Sequence, residues 1–153
     1  MEVLPDPEGD RNPVVPAPPN QPLASSSLWP DGESGAPDWM LLKDFLSKEG
    51  KLAKEDVVSL IETATAIMKR EPNLVPVPEP IVIVGDIHGQ YYDLCHLLGK
   101  AGDPSKINFL FLGDYVDRGI FGVECVLLLF AMKITYKESF VMLRGNHETK
   151  NMT

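Results

Sequence analysis

Two cysteines in 153 residues are too few for a disulfide framework. Cys95 and Cys125 fall inside apolar helical patterns, which predicts buried thiols in a reducing compartment and a cytoplasmic or nuclear address. Long apolar runs are missing too. The longest, CVLLLFAM from Cys125, is far short of the roughly 20 residues that cross a bilayer. The opening MEVLPDPEGDRN lacks the basic-then-apolar order of a signal or transit peptide, so no membrane role is expected. Positive charge is also scarce, with 14 Lys and Arg against 22 Asp and Glu. Most of the resulting net charge of −8 sits in residues 1–38, where seven acids face the single Arg11. The remainder is nearly neutral and offers no basic face to a phosphate backbone, so no nucleic-acid partner is expected.

Proline is plentiful but confined: nine of the fourteen fall before residue 38, among serines, glycines and acids. That composition predicts a disordered, Pro-rich acidic tail over residues 1–37. Behind it, 44% hydrophobic and 24% charged residues overall are enough for one globular domain, expected over 38–153. Asp38 is suited to cap a helix in which Leu41, Leu42, Phe45 and Leu46 share a face, ending at Gly50. A second helix is predicted from about Lys54 to Arg70, with Val57, Leu60, Ile61, Ala64 and Met68 at spacings of three and four. NLVPVPEP is then forced into an extended path.

Beyond it, short apolar runs alternate with helical stretches: IVIVG, YYDLCHLLGKAG, NFLFLG, FGVECVLLLFAMKI and SFVMLRG. This predicts the α/β class, a parallel βαβαβ unit with right-handed crossovers. In such sheets the reactive groups stand just past the carboxyl ends of the strands. The three loops there read GDIHGQ, GDYVDRG and RGNHET, which brings Asp86, His88, Asp114, Asp117, Arg118, Asn146 and His147 to one edge.

Carboxylate oxygens and neutral imidazole suit Zn, Fe or Mn, and the lack of thiolate ligands argues against a Cys-rich structural zinc site. Asp114 can give one oxygen to each of two ions, with Asn146 offering a carbonyl oxygen to the second. Two ions about 3.5–4 Å apart acidify a shared water and clamp an in-line phosphoryl displacement, so phosphate-ester hydrolysis is the expected chemistry. The planar fork of Arg118 matches phosphate oxygens, a surface ion pair with Asp117 being its plainer role. His147 can protonate a leaving alkoxide, with Asp117 to hold its ring. His96, in mid-helix away from this edge, is expected to be structural.

GDIHGQ, GDYVDRG and LRGNHE in this order resemble the signature set of the metal-dependent serine/threonine phosphoprotein phosphatase family. KEGKL, LFLGDYVDRG and ECVLLLFAMKI are most similar to its calcium- and calmodulin-regulated calcineurin branch, and the resemblance covers residues 38–153. It implies Asp86 and His88 on a first metal, Asp114 bridging, Asn146 on a second, Arg118 on phosphate, and His147 as general acid oriented by Asp117. It further implies iron paired with zinc or manganese, phosphoprotein substrates, and a calcium-binding regulatory subunit and calmodulin whose binding segments fall outside these residues. The family completes its second metal site and a second sheet from downstream residues. The chain is therefore expected to be the amino-terminal half of a metallophosphoesterase sandwich, with an incomplete second site and no activity alone. Two other readings compete: a non-catalytic fragment acting by partner binding, and a two-metal phosphoesterase acting on nucleotides.

Overall fold

Asp38 caps the first long helix through its side chain, which accepts a hydrogen bond from the Leu41 amide at 2.9 Å. The computed structural model describes residues 16–153, in the order α1 (Ser25–Leu28), α2 (Trp39–Leu46), α3 (Lys54–Met68), β1 (Ile81–Val84), α4 (Tyr91–Ala101), β2 (Asn108–Phe111), α5 (Gly122–Thr135) and β3 (Phe140–Met142). Glu55 and Asp56 open α3, where the exposed amides of a helix start favour acidic groups. The apolar periodicity of α2 and α3 buries Leu42, Leu46, Leu60 and Ala64. Leu41 and Ile61, which the same periodicity places on those faces, stand at their margins and are exposed.

The three strands form one parallel sheet in the order β1-β2-β3, as the alternating pattern predicts. One face carries Val84, Phe109, Phe111 and Phe140, all buried, with the Phe111 and Phe140 rings 5.0 Å apart. This face shares its core with α5, which buries eight of its residues and packs against α2, α3 and α4. On the opposite face Ile83 lies in register with Leu110, and Leu110 with Val141. That side is partly open: Ile83 is 61% exposed, and Leu112 and Leu143 just past the strands are also exposed. Among the described residues no helix is long and apolar enough to cross a membrane.

Disorder is expected over residues 1–37, but part of that segment is ordered. Residues 1–15 lie outside the described residues, but α1 forms at Ser25–Leu28, and Leu28 and Trp29 are buried in the main core. The Asp38 amide donates to the Leu28 carbonyl at 2.8 Å, and the Ser25 hydroxyl donates to the buried Asp56 carboxylate at 2.8 Å. Full burial of one large apolar side chain contributes about 1.5–3 kcal/mol, so two such anchors outweigh the local bias toward disorder. The folded unit therefore includes residues before Asp38.

Lys133, fully buried in α5, donates to the carbonyls of Lys137 and Phe140 at 2.9 and 2.8 Å and to the Glu71 carboxylate. All three ammonium protons are thereby used. The pair ties the chain just after α3 to the entry of β3, and removing one partner of such a pair typically costs about 3–5 kcal/mol.

Candidate metal centre

All three strands end at the same edge, and their exit loops lie against one another. The amides of Ile87 and His88 both donate to the Asp114 carbonyl at 2.9 Å, Gly89 donates to the Tyr115 carbonyl, and Gly119 to the His88 carbonyl, each at 2.9 Å. This approach requires glycine: a Cβ on Gly89 would stand 2.6 Å from the Gly119 oxygen, and one on Gly113 would overlap the backbone of Gly145. Of the five non-glycine residues with positive φ among those described, four are here: His88, Asp114, Asp117 and Arg118. Such conformations cost about 1–3 kcal/mol each and persist only where surrounding contacts enforce them.

His88 is buried, and its Nδ1 lies 2.8 Å from the Val116 carbonyl. A carbonyl only accepts, so Nδ1 carries a proton, and in the neutral ring Nε2 is the nitrogen with the lone pair. That Nε2 is buried without a hydrogen-bond partner, 3.6 Å from Asp86 Oδ2 and 3.9 Å from Asp114 Oδ2. A buried acceptor facing two carboxylates, with no donor between them, is costly unless a cation supplies the missing charge. The donor set therefore fits a metal ion, borderline in softness and bound through oxygen and imidazole.

Asp114 is held on every other side. Its Oδ1 accepts the His147 amide at 2.9 Å, which leaves Oδ2 toward His88. His147, also buried, donates from Nδ1 to Asp117 Oδ2 at 2.9 Å, and its ring stands 4.7 Å from that of His88, nearly perpendicular. Ligating atoms of His88, Asp114 and His147 all lie within 4.8 Å of one another. Asp86, more exposed, approaches this cluster through His88. Two hydrogen bonds, from the Thr153 hydroxyl at 2.6 Å and from His147, hold the Asp117 carboxyl below the usual aspartate range. The sign is that of a depressed acid: Asp117 stays ionised, and its bond to His147 intact, at pH values where an ordinary aspartate protonates.

Arg118 and Asn146 are exposed on the rim, and among the described residues neither side chain has a hydrogen-bonding or ionic partner. The plainer role for Arg118, an ion pair with Asp117, is not formed. His96 is exposed on α4, away from the strand ends. Both cysteines are free, Cys125 buried and Cys95 partly so; burial pushes the Cys125 thiol up to about 12 and raises Cys95, so neither is poised as a nucleophile.

Sequence reasoning missed Glu148, whose carboxylate accepts the amides of Asp114 and Tyr115 at 2.7 Å, Gly145 at 2.9 Å and Val116 at 3.4 Å. Its only signal was one acid more at this edge than the inferred ligand set uses. Tyr115 was missed as well. Its buried hydroxyl donates to the Leu143 carbonyl at 2.7 Å, joining the second loop to the third, and burial raises its ionisation far above the usual tyrosine value.

Residues 79–152 match the family described as calcineurin-like phosphoesterase. Over 123 residues, 80% of this chain and 22% of the relative, the sequence is 46% identical to serine/threonine-protein phosphatase 2B catalytic subunit A1 of Saccharomyces cerevisiae. It is likewise 46% identical to catalytic subunit A2 of that yeast over 120 residues, 78% of this chain and 20% of the relative. The chain thus spans about a fifth of the length of the curated relatives it matches. Among solved structures it is similar to a protein serine/threonine phosphatase from Saccharomyces cerevisiae, itself described as similar to human phosphatase PP5. That likeness has a TM-score of 0.69 at 37% identity and covers 73% of this chain and 38% of the other.

Proposed function

We propose that this chain, whose residues 79–152 match the calcineurin-like phosphoesterase family, contributes its rim to a protein serine/threonine phosphatase centre hydrolysing phosphoserine and phosphothreonine esters. The observation that carries this reading is the buried, unpartnered Nε2 of His88, aimed between Asp86 and Asp114 beside the His147–Asp117 pair. Asp86, His88 and Asp114 would hold one ion; Asp114 and Asn146 would hold part of a second, with iron and zinc or manganese suited to these donors. Bound ions of this kind lower the pKa of water and neutralise charge on phosphoryl oxygens.

The chain's own residues do the rest. The Val116 carbonyl fixes the His88 tautomer and aims Nε2. Asp117 fixes the His147 ring by its Nδ1, which leaves the other ring nitrogen to protonate the departing serine or threonine oxygen. Arg118, exposed and unpaired among the described residues, receives the phosphate. The phosphatase names of the matched relatives favour phosphoprotein substrates over nucleotides. The calcineurin-like motifs extend the proposal to a calcium-binding regulatory subunit and calmodulin as partners, and the buried free thiols fit a cytoplasmic or nuclear setting.

The test is a chimera in which this chain replaces the matching segment of the yeast catalytic subunit A1. With Mn²⁺ it should dephosphorylate a phosphoserine peptide; a folded, metal-loaded chimera without turnover would contradict the proposal. In the same chimera Arg118→Lys keeps the charge but loses the fork. It should lower kcat/KM about tenfold to a hundredfold, the scale of one or two charge-assisted hydrogen bonds. An unchanged kcat/KM would leave Arg118 without a role in phosphate binding.

A further inference from the structure

We propose that Glu148 is a positioning residue: it sets the rotation of Asp114 and thereby the metal affinity of the rim. The inference rests on the metal-binding reading above, but it concerns a group that touches neither metal nor substrate. Successive amides of Asp114, Tyr115 and Val116 converge on the Glu148 carboxylate, and the Gly145 amide joins them from the third loop. Consecutive backbone N–H groups turned to one side form a concave anion site, and here the anion is supplied by the chain itself. Bonds from amides to an ionised carboxylate are shorter and roughly twice as strong as neutral ones, which accords with the two at 2.7 Å.

The consequence for Asp114 is specific. Its N–H is held by Glu148, its carbonyl by the amides of Ile87 and His88, and its Oδ1 by the amide of His147. Asp114 has φ at 55°, in the left-handed region, where most non-glycine residues are disfavoured and aspartate is better tolerated than most. Release of its N–H would let the peptide relax toward negative φ and swing Oδ2 away from His88 Nε2. Glu148 also spaces the two loops: by holding Gly145 together with Asp114 it fixes His147, two residues on, against Asp114 Oδ1. One carboxylate thus couples a ligand from the second loop to the acid from the third.

The test uses the 153-residue chain, titrated with Mn²⁺ alone and followed by amide hydrogen exchange, without substrate. Glu148→Gln replaces one acceptor oxygen by a donor facing donors. It should weaken Mn²⁺ binding about tenfold to a hundredfold, the usual effect of losing an outer partner of a metal ligand. It should also abolish exchange protection at Asp114, Tyr115 and Gly145. Glu148→Asp keeps the charge on a shorter arm and should recover part of both; it also serves if the glutamine variant does not fold. Wild-type affinity together with wild-type protection in either folded variant would overturn the proposal, as would lost protection with affinity unchanged. Failure of the wild-type chain to bind Mn²⁺ would instead count against the metal-binding reading, and the exchange data would still decide whether Glu148 holds the loops.

Discussion

His147→Gln, placed in the chimera, should slow turnover of a phosphoserine peptide by about two to four orders of magnitude, the scale expected when a general acid is lost. Glutamine can still donate an amide proton to Asp117, so the local packing should survive. What it cannot do is carry a transferable proton to a poor alkoxide leaving group. Metal content is the discriminating measurement, since the ligating atoms of His147, His88 and Asp114 lie within 4.8 Å of one another. Unchanged metal content with slow turnover supports the acid role. Loss of metal would make His147 a ligand, and wild-type turnover would leave it without either role.

Asp114→Asn should have the other large effect, reducing metal binding and activity together. Both carboxylate oxygens are engaged in different directions, Oδ1 by the His147 amide and Oδ2 toward His88 Nε2. An asparagine must either point its NH₂ at the His147 N–H, two donors face to face, or point it at the cation site. Neither orientation keeps both contacts. The loss in Mn²⁺ affinity should exceed the roughly 10–100-fold that outer partners of a metal ligand cost. Calorimetric titration measures it, with circular dichroism to confirm that the fold persists. An Asn variant with wild-type affinity would remove Asp114 from the ligand set.

Much of this is legible in the sequence. The runs IVIV, NFLF and SFVM are too short for helices and are each followed within three residues by a glycine, so they read as parallel strands, and β1, β2 and β3 lie within them. Since a parallel sheet directs every strand end to one edge, the seven polar residues of the three loops could be assembled without knowing a single distance. What the sequence could not convey was backbone. The Val116 carbonyl that aims His88, the amides collected by Glu148 and the positive φ of Asp114 involve groups every residue possesses, and no side-chain pattern announces them. Composition misled at the other end, where serines and prolines around Leu28 and Trp29 masked two apolar anchors that bind the segment to the core. Helical periodicity likewise put Leu41 and Ile61 on buried faces without showing that those faces are narrow.

In the proposed site, three loops from one sheet edge hold a metal through His88 and its neighbouring carboxylates. Anomalous diffraction at the manganese edge, from crystals of the 153-residue chain grown with Mn²⁺, tests it most directly. One strong peak is expected within bonding distance of His88 Nε2, Asp86 and Asp114, and a weaker or absent one between Asp114 and Asn146. Strong peaks elsewhere, with His88 Nε2 still unpartnered, would contradict it.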